Sequence, residues 1–410
     1  MINPGTKFQT RNFGTMTVAA TLAAGGQGTA YEAVASDGSA HVLKLFRPEF
    51  QTNDTRKRLE TLIAQKFESE NSTIVAPREL VTVNGSFGHL STKAPGVSLE
   101  EMLTSGGFDM LDGIQMACAL ARAIGIIHDR GFAHGDIHAN NVLIYQNGIS
   151  RLFVIDFDNF AGASLPIAPC LGHNLYMAPE IRTKGLSPSI EADRFSLAVV
   201  VHELITLRHP VPSDATAAEF NDVMSQGKWL GDPTFTKRKQ RPDGYPADVL
   251  NADLSRLFRL AISSKASERP TAQQWQDALY ASLFNIYVCP DCTAPNIIDA
   301  SKKRCVMCRK AYPLLKLRGS FGAIPLNQSS VVIGRDELGG SKQVSKRHAV
   351  IRHIGPEYRI EDCSSNGVFR ETPKGWLALP KAPEIERQPV LMPGDKIRFA
   401  DVECTVELIS

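Results

Sequence analysis

The order of apolar and polar positions changes character twice along this chain. The first stretch opens with short alternating runs such as HVLKLF, interrupted by the glycine-rich segment LAAGGQGTAYEA. Alternation of this kind predicts strands with one buried face. Further on, MLDGIQMACALARAIGIIHDRG repeats at helical spacing. Ile114, Ala117, Cys118 and Ala121 share one face and Gly131 closes the run, which predicts an amphipathic helix with Cys118 in the core. EADRFSLAVVVHELITL is apolar on nearly every side, as a helix buried inside a large lobe would be. NVLIYQNGISRLFVIDFD predicts a hairpin turning at Asn147-Gly148. After residue 314 the pattern breaks into SSVVIGR, HAVIRHI, YRIEDC, PVLMPGDKIRF and ECTVELI, separated by Gly, Pro and Asn. Such spacing predicts an antiparallel β-sandwich, with Cys363 and Cys404 on strands facing its core.

Composition narrows the class. The 410 residues are 43% hydrophobic and 21% charged, with a formal net charge of +2. That is ordinary for globular protein and gives no bulk electrostatic case for nucleic acid or membrane surfaces. MINPGTKFQTRNFG has no apolar core, and the run FSLAVVVHELI is interrupted by His202 and Glu203. A cytoplasmic protein is expected.

Eight cysteines are present, and four of them form the pattern C-x2-C-x12-C-x2-C at Cys289, Cys292, Cys305 and Cys308. Each CxxC turns two thiolates to one side, and the spacer returns the second pair as a short hairpin. A four-thiolate shell closes a tetrahedral Zn²⁺, so the expectation is a structural zinc ribbon rather than a catalytic or redox centre. Lys302, Lys303 and Arg304 can offset its negative charge. Cys118, Cys170, Cys363 and Cys404 are scattered. The boundaries that follow are 1–284, 286–313 and 314–410.

The first block carries candidate chemistry in a fixed order. The glycine-rich turn offers Gly25, Gly26 and Gly28, whose backbone N–H groups can approach phosphates. Lys44 lies in the alternating strand HVLKLF. Then come GFAHGDIHANNVL, the DFD at 156–158, YMAPE at 176–180, EADRF and ERPTAQQW. Together these resemble the eukaryotic-like Ser/Thr protein kinases of bacteria, over about residues 12–284. The resemblance implies a bilobal fold with an N-lobe at about 12–94 and a C-lobe at about 95–284.

It also implies roles. Asp136 orients the substrate hydroxyl and accepts its proton. Asn141 and Asp156 hold Mg²⁺ (or Mn²⁺), Lys44 fixes the α/β-phosphates of ATP, and Ala30 lies over the adenine. A helix glutamate holds Lys44, with Glu60 the first choice and Glu68 and Glu70 nearby. His134 packs beside Phe157. Glu180 pairs with Arg269, and Asp193 holds the catalytic-loop backbone.

Besides Ala23 at the first Gly position of the glycine-rich turn and Ala30 where a Val is usual, the chain departs from that family at three places. Gly135 replaces an Arg that binds a phosphorylated activation loop. The segment from Asp156 to Glu180 has only Ser164 and Tyr176 as hydroxyls, so control by phosphorylation there is not expected. His138 replaces a Lys, and His173 takes the place of its usual Thr partner. Asp158 replaces the Gly of DFG, either adding to the metal site or merely restricting the backbone. A pseudokinase scaffold is the rival class. It predicts loss of Lys44, Asp136, Asn141 or Asp156, and all four are present.

The last block contains SSVVIGRDELGG, VSKRHAVI, EDCSSNGVF and LMPGDKIRF in that order. It resembles the forkhead-associated (FHA) domain over about residues 315–408. The resemblance implies an all-β sandwich that binds phosphothreonine. Arg335, Ser345, Lys346, Ser365 and Asn366 would hold the phosphate and peptide, His348 would brace the loops from inside, and Gly334 and Gly367 would shape turns. The fold class is thus multidomain α+β: a bilobal kinase, a small zinc ribbon and an FHA sandwich. Expected partners are protein substrates with Ser or Thr, phosphothreonine proteins or the chain itself through Thr6, Thr10, Thr15 or Thr17, and a cognate protein phosphatase.

Overall fold

A computed structural model describes residues 2–168, 172–211, 223, 228–229, 244–283, 286–289, 292–297, 302, 304–311, 314–354 and 357–409. Cys170 and Lys303 fall outside the described residues. The chain forms two compact units, Met1–Tyr245 with Leu254–Tyr280, and Pro246–Asp253 with Ala281–Ser410.

The first unit begins with β1 (Lys7–Gln9), β2 (Thr15–Ala24), β3 (Gly28–Ala35), β4 (Ala40–Phe46), β5 (Glu79–Val83) and β6 (Ser86–Thr92), an antiparallel sheet in the order β1-β2-β3-β4-β6-β5. Alternation places Tyr31, Ala33, Leu43, Leu45 and Leu90 in one core beside Met16 and Val18. Lys44 lies between Leu43 and Leu45, so it emerges on the opposite face. There it is registered between Ala30 of β3 and His89 of β6. Thr15 and Thr17 belong to β2, and Thr6 and Thr10 are half-buried with their hydroxyls bonded to Asn3 O and Gly14 O. The four threonines are therefore built into the sheet margin rather than free, because the first apolar residues (Phe8, Met16) are needed for its core.

Helix α1 (Asn53–Gln65) starts where Thr52 accepts a hydrogen bond from Thr55 N. Its buried stripe is Thr55, Arg58, Leu59 and Leu62. In the helical half, Met110–Asp129 is capped by Asp109 and buries Ile114, Ala117, Leu120, Ala121 and Ile124. By length and composition alone this helix could cross a membrane, but its apolar stripe is used inside the lobe. Cys118 sits half-buried at the edge of that stripe, not at its centre, and burial pushes its thiol up to about 11. Helix Ile190–Thr206 is buried along most of its length, as its all-round apolar pattern requires. The hairpin of Val142–Asn147 and Ile149–Val154 turns at Asn147↔Ile149. Its two ends deliver Asn141 and Asp156 to one place.

In the second unit, Ile286–Val288 pairs with Pro295–Ile297. Beyond it lie a six-stranded and a four-stranded antiparallel sheet. Leu317, Ile333, Val344, Ile351, Tyr358, Ile397, Phe399 and Val406 fill the core they share. Cys404 is buried there, while Cys363 is exposed. The reason is register: in Glu357–Asp362 the inward positions are Tyr358, Ile360 and Asp362, so residue 363 points out.

Candidate functional site

The loop that carries His134, Gly135 and Asp136 is suspended from Asp193. Its Oδ2 accepts from His134 N at 2.6 Å and its Oδ1 from Gly135 N at 3.0 Å, while His128 Nε2 lies 3.2 Å from Oδ2. The fully buried His134 packs on Phe157 with ring centroids 4.4 Å apart. Asn141 Nδ2 donates to the carbonyl of Asp136 at 3.0 Å. The Asp136 carboxylate is held at both oxygens: Oδ1 accepts from His173 N at 3.0 Å and lies 3.6 Å from His138 Nε2, and Oδ2 accepts from Asn159 Nδ2 at 3.3 Å. Burial alone would raise its pKa, but His138, His134 and the His173 amide outweigh it and hold it below the usual value. Asp136 is therefore an ionised acceptor. His138 and His173 face each other at 4.8 Å between centroids, so the two substitutions form one contact.

Gly135 is more than a missing Arg. Its φ is +82°, and a Cβ there would stand 2.2 Å from Asn159 O. An L-residue there would be strained in conformation and would force the Asn159 backbone to shift. Gly135→Ala should cost more than about 1 kcal/mol of stability and displace Asp136. Phosphoryl transfer should fall about a hundredfold, read by thermal melting and by label incorporation.

Across the cleft, the β2–β3 turn closes with Gly25 N donating to Gly28 O at 2.8 Å. Gly25, Gly26, Gly28 and Ala30 line the same cleft as Lys44, Asp136 and Asp156. At the turn's tip Gln27 Nε2 donates to Asn159 Oδ1 at 3.0 Å. Lys44 Nζ lies 2.8 Å from both oxygens of Asp156 and 2.6 Å from Asp158 Oδ2. Burial would lower the Lys44 pKa, yet Asp158 and Asp156 outweigh it and raise it. Burial and the neighbouring Asp158 push Asp156 up, whereas Lys44 and His89 hold Asp158 low against its own burial. Asp156 adopts φ +62°, a left-handed conformation unusual for a residue with a Cβ.

The glutamate expectation is corrected. Glu60 is exposed, away from the inward stripe of α1, and Lys44 has no glutamate partner among the described residues. Glu68 lies 3.4 Å from Arg78, with its pKa pushed up to about 7 by burial, and Glu70 pairs with Arg130. Spacing could not reveal this, because one helical residue more or less rotates a side chain by about 100°. Asp158 and Asn159 were not assigned to Lys44 or Asp136 from sequence. The only hint was the departure from DFG. Further from the cleft, Arg269 forks onto Glu180 with two contacts of 2.7 Å and also donates to Glu191 O.

In the second unit the four Sγ atoms of Cys289, Cys292, Cys305 and Cys308 lie within 4.8 Å of one another. Cys289–Cys308 and Cys292–Cys305 are each 3.6 Å apart. Zn–S bonds of about 2.3 Å set tetrahedral sulfurs about 3.8 Å apart, so the cluster fits that ion. Two tight turns make it: Thr293 N donates to Cys289 O, and Arg309 N to Cys305 O. Asn296, fully buried, donates to Cys305 Sγ at 3.5 Å and accepts from Val306 N at 2.9 Å. Lys302 Nζ is directed at the carbonyls of Val249 and Ile297 instead.

At one end of the sandwich, Arg335 is fixed by its own N–H on Ser345 O and by Nε on Val344 O at 3.0 Å. The buried His348 accepts from Ser345 N at Nδ1, so its Nε2 carries the proton donated to Gly367 O at 3.0 Å. It thereby ties the Ser345 loop to the Asn366 loop. Asn366 Nδ2 donates to Gln343 O at 2.7 Å. Lys346 and Ser365 are exposed beside them. A Cβ on Gly334 would meet Lys346 O at 2.0 Å, so Gly334 serves close approach rather than a left-handed turn.

A domain organised around a suspended catalytic loop, a lysine on a strand and an acidic hairpin end defines the protein-kinase class. The protein kinase domain family matches residues 16–281 and the FHA domain family residues 320–400; the chain belongs to the protein kinase family. It is 27% identical over 189 residues to a probable serine/threonine-protein kinase of Schizosaccharomyces pombe, covering 42% of this chain and 24% of the relative. It is 30% identical over 192 residues to the serine/threonine-protein kinase PknA of Corynebacterium glutamicum, covering 43% and 39%. Over 296 residues it is 26% identical to the serine/threonine-protein kinase AfsK of Streptomyces coelicolor, covering 69% and 34%. The chain thus spans about a quarter to two fifths of the length of these relatives.

Proposed function

We propose that this protein kinase transfers the γ-phosphoryl group of Mg-ATP to Ser or Thr hydroxyls of proteins, and that its FHA domain binds phosphothreonine on itself or on partners. The observation that carries the reading is the convergence of Lys44, Asp136 and Asp156 on one cleft beneath a glycine-rich turn, with Asn141 bonded to the Asp136 carbonyl beside it. The buried Asp158 and the half-exposed Asp156 carboxylates face the single ammonium of Lys44. That leaves a negative excess suited to a divalent cation. Asn141 and Asp156 would hold Mg²⁺, which when bound supplies charge neutralisation for the phosphates. Lys44 would steady the α/β-phosphates and the β2–β3 turn would cover them. Asp136, pinned by His173 N and Asn159, would orient the hydroxyl and take its proton. Label incorporation from γ-labelled ATP into protein tests the assignment. Its absence would favour the scaffold reading.

The cysteine cluster we assign to a structural Zn²⁺, giving a ribbon at 286–313 between a kinase domain at 1–284 and an FHA domain at 314–410. The unpaired thiols of the cluster and the need for ATP favour a cytoplasmic setting. The left-handed φ of Gly135 and its close approach to Asn159 O, both suited to a glycine rather than an Arg, support control that does not pass through activation-loop phosphorylation. A cognate phosphatase is the partner that such a phosphate-reading kinase needs for reversal.

Arg335 is the phosphate ligand we assign first, since it is already immobilised by Val344 O and Ser345 O. Arg335→Ala should weaken phosphothreonine-peptide binding at least about tenfold, read by fluorescence anisotropy. ATP turnover should be unchanged. Parallel loss of both would refute separable roles.

A further inference from the structure

We propose that Asp158 is the residue that positions Lys44, in place of the helix glutamate expected from the family resemblance. The proposal rests on reading Lys44 as a phosphate ligand. The only carboxylates on α1 are Asp54 and Glu60, and both are exposed. The inward position is taken by Arg58, whose guanidinium donates to Pro166 O at 3.2 Å and Ile167 O at 2.7 Å. Helix α1 thus meets the segment that follows Asp158 through a cation and backbone carbonyls, and brings no anion to Lys44.

The anion comes from the DFD turn. Asp158 Oδ2 lies 2.6 Å from Lys44 Nζ, and Oδ1 lies 3.5 Å from His89 Nε2. His89 stands opposite Lys44 in the β4–β6 register, so a single carboxylate faces one cross-strand pair of the sheet. The Asp158 side chain is only 5% exposed. With both oxygens turned to protein groups, Asp158 is a positioning residue and not a third metal ligand. Asp156 is the carboxylate left for metal when a nucleotide draws Lys44 toward its phosphates. The consequence is mechanical. Where a helix carries the anion, moving the helix breaks the pair. Here the pair joins β4 to the start of the activation segment, so displacement of α1 leaves Lys44 in register.

The experiment is a double-mutant cycle on ATP affinity in the full-length protein, with Lys44→Met, Asp158→Asn and the double variant. Steady-state kinetics and a Mg²⁺ titration of Asp158→Asn accompany it. Asp158→Asn should raise the KM for ATP about tenfold with a smaller fall in kcat, and leave the Mg²⁺ requirement unchanged. The double variant should bind ATP no more weakly than Lys44→Met alone, because Asp158 acts through Lys44. Additive losses, or a shift confined to the Mg²⁺ requirement, would overturn the role of Asp158. If Lys44→Met itself binds ATP normally, the reading of Lys44 fails first. Asp158→Gly, which restores the residue found in DFG, serves as the second variant should Asp158→Asn melt early, and the same cycle applies.

Discussion

Asp136→Asn is expected to reduce phosphoryl transfer about a thousandfold while ATP still binds. The substitution keeps size and shape, so the loop hung from Asp193 should stand and Asn141 should still reach the Asp136 carbonyl. Two properties are lost. An amide cannot take the substrate proton. It also lacks the charge that His138 and the His173 amide stabilise in the wild type. Because that charge is held below the usual carboxylate pKa, protonation of Asp136 should impair the rate only at a pH below the ordinary carboxylate range. Activity should hold above it and fall as pH drops through the depressed value. Equilibrium ATP binding together with label incorporation checks this. A variant that keeps wild-type turnover would remove Asp136 from the chemistry.

The second large effect concerns the cysteine cluster. On the Zn²⁺ assignment proposed above, removing the metal with a chelator, or making Cys305→Ser, should unfold the ribbon outright. Structural zinc contributes apparent binding energies of about 10–16 kcal/mol in small domains, and about 28 residues at 286–313 are too few to build a core of their own. The described core of the cluster is the cysteines themselves, with Asn296, Ile297 and Val306 buried around them. Limited proteolysis should open between residues 286 and 313, with one zinc lost per chain by metal analysis. ATP binding should persist, since the nucleotide cleft lies in the other compact unit. A ribbon that stays resistant to protease after zinc loss would show that the metal is dispensable.

The motifs that carry Asp136, Lys44, Asn141 and Asp156 are legible without coordinates, because a short motif encodes its own local geometry. A hairpin whose ends must meet brings residues 141 and 156 together whatever surrounds it. The same holds for the two CxxC turns and for the alternating strands of the sandwich. Glu60 failed for the opposite reason. Its partnership depended on the rotation of α1 against the sheet, and the buried stripe Thr55, Arg58, Leu59, Leu62 settled that rotation. Cys363 failed on a register one residue out of step.

Residue identities along the chain were enough to specify a kinase domain, a four-cysteine cluster and an FHA sandwich, since each rests on neighbours within a turn or two. They could not say which anion grips Lys44, that Asn159 bridges Gln27 and Asp136, or that Gly135 is forced by Asn159 O. Those contacts join residues tens of positions apart, or turn on a few tenths of an ångström of backbone approach. Only packing of the whole unit sets such distances, because each is the sum of many small rotations that no local pattern records.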